Sequence, residues 1–503
     1  MAPVKTAKIL RFSLKSLLPR SIFSPQATNP LSTKVISMDK KITVKKTAVK
    51  KTAVKKTTVM KTAGDGKTVH HVLHTGPFRV AASWPHQELP LILSMVGGKQ
   101  IVIATSFTPV SFETIAQTSI NDWRSNPALF GPSTAPNHLA DLPRWIFALP
   151  YETYAKTNAG GKNAVQDLSE RPQAWEIKAA LVWDEGSTEP RYIARTDCGT
   201  CRFHLIYKPQ ITALLAQAKK WEPPTIRPMT LHGSTSHDTY LDSAREIIEA
   251  IGRGDFYQVN LLRYFSIAAA HGWDHLCARM ETNAGPHGAL LTVGSRVIAS
   301  FSPERFIEIS TRENKHHIAT WPIKGTAPRD ASDPIKDLAF GTALSASAKD
   351  QAELHMIIDL MRNDLTRICE RGTVAVTQSG SLKQFKHIWH LEGEITGELN
   401  PQQTLDQILS ALCPGGSITG APKIAAMERI KNDEGQPRGF FMGNIFRINH
   451  DGSLQSNILI RTLVSNNWMK TANYAAGSGL VIKSSPEAEL LEIQSKCSPV
   501  TSL

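Results

Sequence analysis

The run Lys349-Asp-Gln-Ala-Glu-Leu-His-Met-Ile-Ile-Asp-Leu-Met-Arg-Asn-Asp-Leu365 reads as part of a helix over 349–370, and it decides how the rest of the chain is read. Asp350 and Glu353 stand three residues apart, so on a helix they share one face. A second helix, over 486–497, repeats the device. Glu489 and Glu492 are again three apart, and Lys496 lies one turn beyond Glu492 on the same face. Two carboxylates from different helices make a good site for Mg2+, a hard cation that takes few protein oxygens and leaves positions for water or a substrate carboxylate. A lone Asp-x-x-Glu says little, since surface helices are full of them. The flanking residues and the motifs downstream are what give it meaning.

Working outward, Pro414-Gly-Gly-Ser-Ile-Thr-Gly-Ala-Pro-Lys423 opens a helix. Glycines before a helix N-terminus expose backbone N–H groups to an anion, and the helix dipole assists. Arg461, in Ile460-Arg-Thr462, is suited to a bidentate grip on a carboxylate. Upstream are Gly254-Asp-Phe-Tyr-Gln-Val-Asn260, Ser302-Pro-Glu-Arg-Phe306 and Pro322-Ile-Lys-Gly-Thr326; downstream are Trp389-His-Leu391 and Ala476-Gly-Ser-Gly479. Each is ambiguous by itself. A lysine before glycine is usually a strand-end charge, and a histidine in an apolar strand is usually a satisfied core residue.

Together and in this order, across roughly residues 236–497, these motifs resemble the chorismate-utilising enzymes. The resemblance implies an α+β chain with a large two-sheet, β-sandwich-like chorismate-binding fold and helices packed outside. It assigns Glu353 and Glu492 as Mg2+ ligands, with Asp350 and Glu489 beside the ion or bound to it through water. Substrate contacts carried over are Gly416, Ser417 and Thr419 in the glycine-rich loop, Arg461, Gly477, and Lys496 against a carboxylate, with His390 near the ring. In this family a lysine at the position of Lys324 marks the branch that aminates chorismate to 4-amino-4-deoxychorismate, on the way to 4-aminobenzoate and folate; anthranilate-forming relatives carry alanine. Gln258 stands where relatives that add water carry a lysine base. A glutamine cannot remove a proton, which points to ammonia as the nucleophile.

The expected chemistry is a covalent intermediate on Lys324, with Glu304 moving the proton. No cysteine lies between glycines as a nucleophile elbow would require, so ammonia is expected from a separate glutamine amidotransferase subunit. Phe441 replaces a usual tyrosine, which puts one carboxylate hydrogen bond in doubt. The altered Asn283-Ala-Gly-Pro-His-Gly288 segment leads us to expect weak or absent tryptophan inhibition. The nearest rival is an anthranilate synthase large subunit, and Lys324 argues against it. An isochorismate- or salicylate-forming enzyme is disfavoured by Gln258.

The chain has 503 residues and a formal net charge of +13. Residues 1–61 hold fifteen Lys or Arg and a single acid, Asp39, so the remainder is nearly neutral. Within this tail the five-residue repeat Lys45-Lys46-Thr47-Ala48-Val49 recurs at Lys50 and Lys55. Paired lysines at that period repel one another and fit neither helix nor strand, so residues 1–66 are expected to be a disordered basic extension. A nucleic-acid-binding role through this tail is the rival of another class. It would be loose and salt-sensitive, and a solvated extension is preferred.

No run of eighteen apolar residues exists, so no membrane span is expected. Six irregularly spaced cysteines suggest a reducing, cytoplasmic setting, with Cys198 and Cys201 read as free thiols. Residues 67–235 read as an N-terminal module of illegible function, and 236–498 as the catalytic domain. In the latter, helices are expected near 236–252, 349–370, 404–412, 421–431 and 486–497. Strands are expected at 257–266, 440–448, 454–464 and 473–482, with a hairpin over 289–302 turning at Gly294-Ser295.

Overall fold

The computed structural model describes residues 76–85, 91–96, 98–123, 141–158, 171–194, 200–268, 271–330, 332–384, 388–466 and 468–502. The expectations for residues 1–66 and for the Cys198 and Cys201 side chains lie outside these. Among the described residues no helix is long and apolar enough to cross a membrane.

The helix Ala348–Thr366 forms because Ser347 accepts a hydrogen bond from the Asp350 N–H at 3.3 Å, capping its first turn. Leu354, Ile357, Ile358, Met361 and Leu365 recur at helical spacing and are buried. Each contributes about 2 kcal/mol of burial. They pack onto the strand Ile388–Glu398, whose Gly393 leaves room for Ile358: a Cβ there would meet Ile358 Cδ1 at 2.6 Å. The carboxylates Asp350 and Glu353 are thereby aimed away from the core.

Among the described residues all strand pairs are antiparallel and form one hydrogen-bonded network in two halves. In the first half, Gln258–Ala268 pairs with Thr471–Leu480 over ten positions. The order then runs through Thr462–Asn466, Arg296–Ser300, Ala289–Val293 and Ile92–Ser94 to Gln100–Pro109. The long strand Gln173–Asp184 pairs with both Gln100–Pro109 and Pro143–Leu149, joining the halves. The second half continues through Asn444–Asn449, Leu454–Asn457, Arg305–Arg312 and Lys315–Thr320 to Ile388–Glu398. Strands from before residue 235 thus pair with strands from after it, and the chain from His71 to Leu503 forms one compact unit. The boundary expected near residue 235 marks a connection within that unit.

The α+β expectation holds, and most elements of the C-terminal half fall within a few residues of their expected bounds. One strand does not. The run expected over 454–464 is two strands, Leu454–Asn457 and Thr462–Asn466, in different halves of the network. The link between them ends at Arg461, whose φ of 50° lies in the left-handed region. That turn aims the arginine inward.

Candidate active site

A cavity of about 530 Å³ opens where the two halves meet the helices Ala348–Thr366 and Pro486–Lys496. Eleven of the residues expected at the site line it: Lys324, Glu304, His390, Ser417, Arg461, Gly477, Lys496, Asp350, Glu353, Glu489 and Glu492. Three others stand behind the lining. Gly416 faces the Ala348–Thr366 helix, where a Cβ would meet Leu360 Cδ2 at 2.8 Å. Thr419 turns its hydroxyl onto its own loop, donating to Gly415 O at 2.9 Å. Gln258 is fully buried, and neither of its amide atoms has a hydrogen-bond partner. Phe441 also lies off the cavity, edge-on to Tyr264 at 6.1 Å, while its neighbour Met442 lines the wall.

Lys324 is placed by a bulge. Its strand pairs Lys324 with Leu391 and Thr326 with His390, so Gly325 is the extra residue. Gly325 has φ 72° and presses against Leu344 and Asp350, where a Cβ would come within 2.8 and 3.0 Å. Only glycine fits both the angle and the space. A Cβ on Gly479 would meet Lys324 Nζ at 2.9 Å and Gln258 Nε2 at 3.1 Å, so the amine and the orphaned amide converge on one point.

Glu304 is held by Ser302, whose hydroxyl accepts from Glu304 N at 3.2 Å and donates to Ile458 O at 2.7 Å. Ser417 donates to Glu304 Oε1 at 2.9 Å. Burial pushes the Glu304 carboxyl up to about 7, against the opposing pull of Ser417, Lys324, Lys496 and Arg461. A carboxyl at that value exchanges its proton near neutrality, as an acid–base catalyst must. His390, 3% exposed, sets Nδ1 3.1 Å from both Gly325 O and Thr326 Oγ1. Burial, with Arg461 and Lys496 nearby, lowers its pKa to about 4, so the ring is neutral at neutral pH. Burial likewise lowers the pKa of Arg461.

Ammonium groups stand among the four carboxylates. Lys349 Nζ is 3.8 Å from Glu353 Oε1 and 3.6 Å from Glu489 Oε1, and Lys496 Nζ is 2.7 Å from Glu492 Oε1. Lys496 also donates to Gly477 O at 2.8 Å. Burial would raise the Glu492 carboxyl, but Lys496, Lys324 and Lys349 hold it below its usual value. Glu353 is raised, by burial and by Glu489 and Asp350. Its Oε1 is buried without a hydrogen bond. An all-oxygen donor set with an orphaned carboxylate oxygen suits a hard divalent cation. In this arrangement, however, no three acidic, histidine or cysteine side chains among the described residues converge on one ion position. The fit is therefore one of donor chemistry.

Reading the sequence alone passed over Lys349, Thr326 and Met442 as members of this wall. The first two stand in runs already singled out, Lys349 in the opening one and Thr326 in Pro322-Ile-Lys-Gly-Thr326; nothing local marks Met442. A second hollow of about 410 Å³ is lined by Ser236, Tyr240, Leu261 and Asp433 among others. Its Asp433 is paired with Arg429 at 2.7 Å, and no lysine, arginine or histidine lines it to receive a carboxylate.

A family model described as chorismate binding enzyme matches residues 110–502. Among curated proteins, aminodeoxychorismate synthase component 1 of Escherichia coli is 39% identical over 258 residues, covering 51% of this chain and 55% of that protein. Anthranilate synthase component 1 of Methanothermobacter thermautotrophicus is 33% identical over 297 residues, covering 58% of this chain and 61% of the other. The chain thus spans about half the length of these curated relatives. Among solved structures, anthranilate synthase component I from Streptococcus pneumoniae superposes with a TM-score of 0.66 at 21% identity, covering 87% of this chain and 100% of that one. The menaquinone-specific isochorismate synthase of Escherichia coli gives 0.61 at 16% identity, covering 84% and 90%. These two likenesses concern the fold.

Proposed function

The chain belongs to the chorismate-binding enzyme family, and from that premise we propose that it is an aminodeoxychorismate synthase, converting chorismate and ammonia to 4-amino-4-deoxychorismate and water. The observation that carries this reading is the amine of Lys324 in the same cavity as a carboxyl, Glu304, poised near pH 7. The 39% identical relative bears that name.

Replacing a ring hydroxyl by an amine with retained geometry calls for two successive displacements. The Lys324 amine attacks carbon 2 of the ring, the double bond shifts, and the hydroxyl leaves carbon 4. Glu304 gives that oxygen its proton, and it departs as water. Ammonia then bonds to carbon 4, the double bond shifts back, and the carbon–nitrogen bond to Lys324 breaks. Glu304 takes the surplus proton from the new amine. Arg461 and Lys496 receive the substrate carboxylates. Mg2+ held by Glu353 and Glu492, with Asp350 and Glu489 around it, would fix one substrate carboxylate and offset its charge. Gln258, unable to act as a base, leaves water unactivated.

Ammonia is assigned to a glutamine amidotransferase partner. The relatives' designation as component 1 supports a second component. Burial drives the Cys413 and Cys497 thiols up to about 12, so neither is suited to act as a nucleophile. The six irregular cysteines favour a cytoplasmic enzyme.

Product analysis tests the reading. Purified chain with chorismate, magnesium and ammonium salt is expected to yield 4-amino-4-deoxychorismate. Anthranilate as the product would overturn it and make Lys324 a bystander.

A further inference from the structure

Arg438 follows the helix Lys423–Glu434 and is not among the lining residues of the 530 Å³ cavity, yet its side chain touches two walls of the active site. Its Nη1 donates to Ile418 O at 2.7 Å, and its Nη2 donates to Asn260 O at 3.0 Å. Ile418 and Asn260 both line the 530 Å³ cavity, one from the glycine-rich loop and the other from the strand Gln258–Ala268. The guanidinium is fixed from behind. Nε and Nη2 donate to Glu434 at 2.9 and 2.6 Å, and the side chains of Arg438 and Glu434 are each 1% exposed. Glu434 is satisfied in turn by Leu262 N and the Tyr264 hydroxyl, both at 2.9 Å. The Tyr151 ring covers Arg438 at 4.7 Å, and Glu152 accepts its backbone N–H at 2.7 Å.

We propose that Arg438 is a positioning residue that sets the glycine-rich loop against the Gln258–Ala268 strand, and so fixes where Ser417 meets Glu304 and the substrate carboxylate. Two buried carbonyls from separate walls end on one rigid fork, a geometry that a lysine cannot copy. Ser417, next to Ile418, carries the hydroxyl that holds Glu304, so a shift of the loop moves the proton-transfer group as well. A misplacement of about 1 Å at such a site costs much of the gain from orientation.

The inference rests on the chorismate reading, and its test separates the two. Arg438→Lys keeps a positive charge beside Glu434 but loses the paired carbonyl bonds. Its melting temperature is expected near that of the parent, while the Kd for chorismate by calorimetry and the KM with ammonium salt rise about tenfold and kcat falls as well, because Glu304 moves with the loop. Glu434→Gln disturbs the buried pair but leaves the bonds to Ile418 O and Asn260 O; it is expected to lose stability with Kd and KM close to the parent's. Unchanged Kd and KM in Arg438→Lys, or equal losses in both variants, would overturn the proposal. Should Arg438→Lys not fold, the double variant Arg438→Gln with Glu434→Gln removes both buried charges at once, and its Kd decides in the same way. A parent chain that binds no chorismate would overturn the proposal together with the reading beneath it.

Discussion

At the scale of single residues, the account turns on Lys324 and Glu304. Replacing Lys324 by alanine removes the nucleophile, and turnover is expected to fall by at least about 100-fold with chorismate binding largely kept. Glu304→Gln is expected to abolish turnover and to raise stability at alkaline pH. The folded chain keeps the Glu304 proton up to about 7, whereas an unfolded chain releases it near 4.5. The cost of burying the carboxylate is thus absent below about pH 4.5, grows through the interval, and is complete above about 7. It amounts to about 3 kcal/mol. Urea unfolding of both forms at pH 5 and pH 8 checks this, and an equal difference at the two values would contradict it. Gly479→Ala is a third probe. A methyl group there collides with Lys324 Nζ, so kcat should fall while the fold persists.

At the scale of elements, the pieces that hold the site are joined by a buried ion pair. Lys423 Nζ lies 2.5 Å from Asp364 Oδ2, with side chains 9% and 6% exposed, linking the end of the glycine-rich loop to the Ala348–Thr366 helix. Lys423→Met leaves Asp364 buried without its partner and is expected to cost roughly 3–5 kcal/mol, read as a lower denaturant midpoint. A midpoint within experimental error of the parent's would show that water reaches Asp364. Both ends of this pair stand within runs whose reading was secure, which is why the helix and the loop were legible. The strand expected over 454–464 was not, because no glycine or proline interrupts the run and the break is the backbone turn that ends at Arg461. Nor was the Arg438–Glu434 pair. Four residues apart beyond a helix end, it reads as surface charge, and its burial arises from Tyr151, Glu152 and Leu262, all distant in sequence.

At the scale of the whole molecule, sequence and structure divide the labour unevenly. Motif order across 236–497 was enough to bring eleven expected residues to one cavity. The module before residue 235 was illegible in part because two of its strands also pair with partners far along the chain: Ile92–Ser94 beside Ala289–Val293, and Pro143–Leu149 beside Asn444–Asn449. The basic charge of residues 1–66 plays no part in the chemistry proposed. A chain beginning at residue 67 is expected to keep the parent's kcat and KM with ammonium salt, and any salt-sensitive binding to DNA should vanish with the tail. A large loss of turnover on truncation would tie the tail to catalysis.

The covalent role of Lys324 is tested most directly by peptide mass mapping of the purified chain after incubation with chorismate and magnesium in the absence of ammonia. The account predicts a chorismate-derived adduct, lighter than chorismate by one water, on the peptide containing Lys324, discharged when ammonium salt is added. Turnover to 4-amino-4-deoxychorismate with no adduct, or an adduct on another residue, would contradict it.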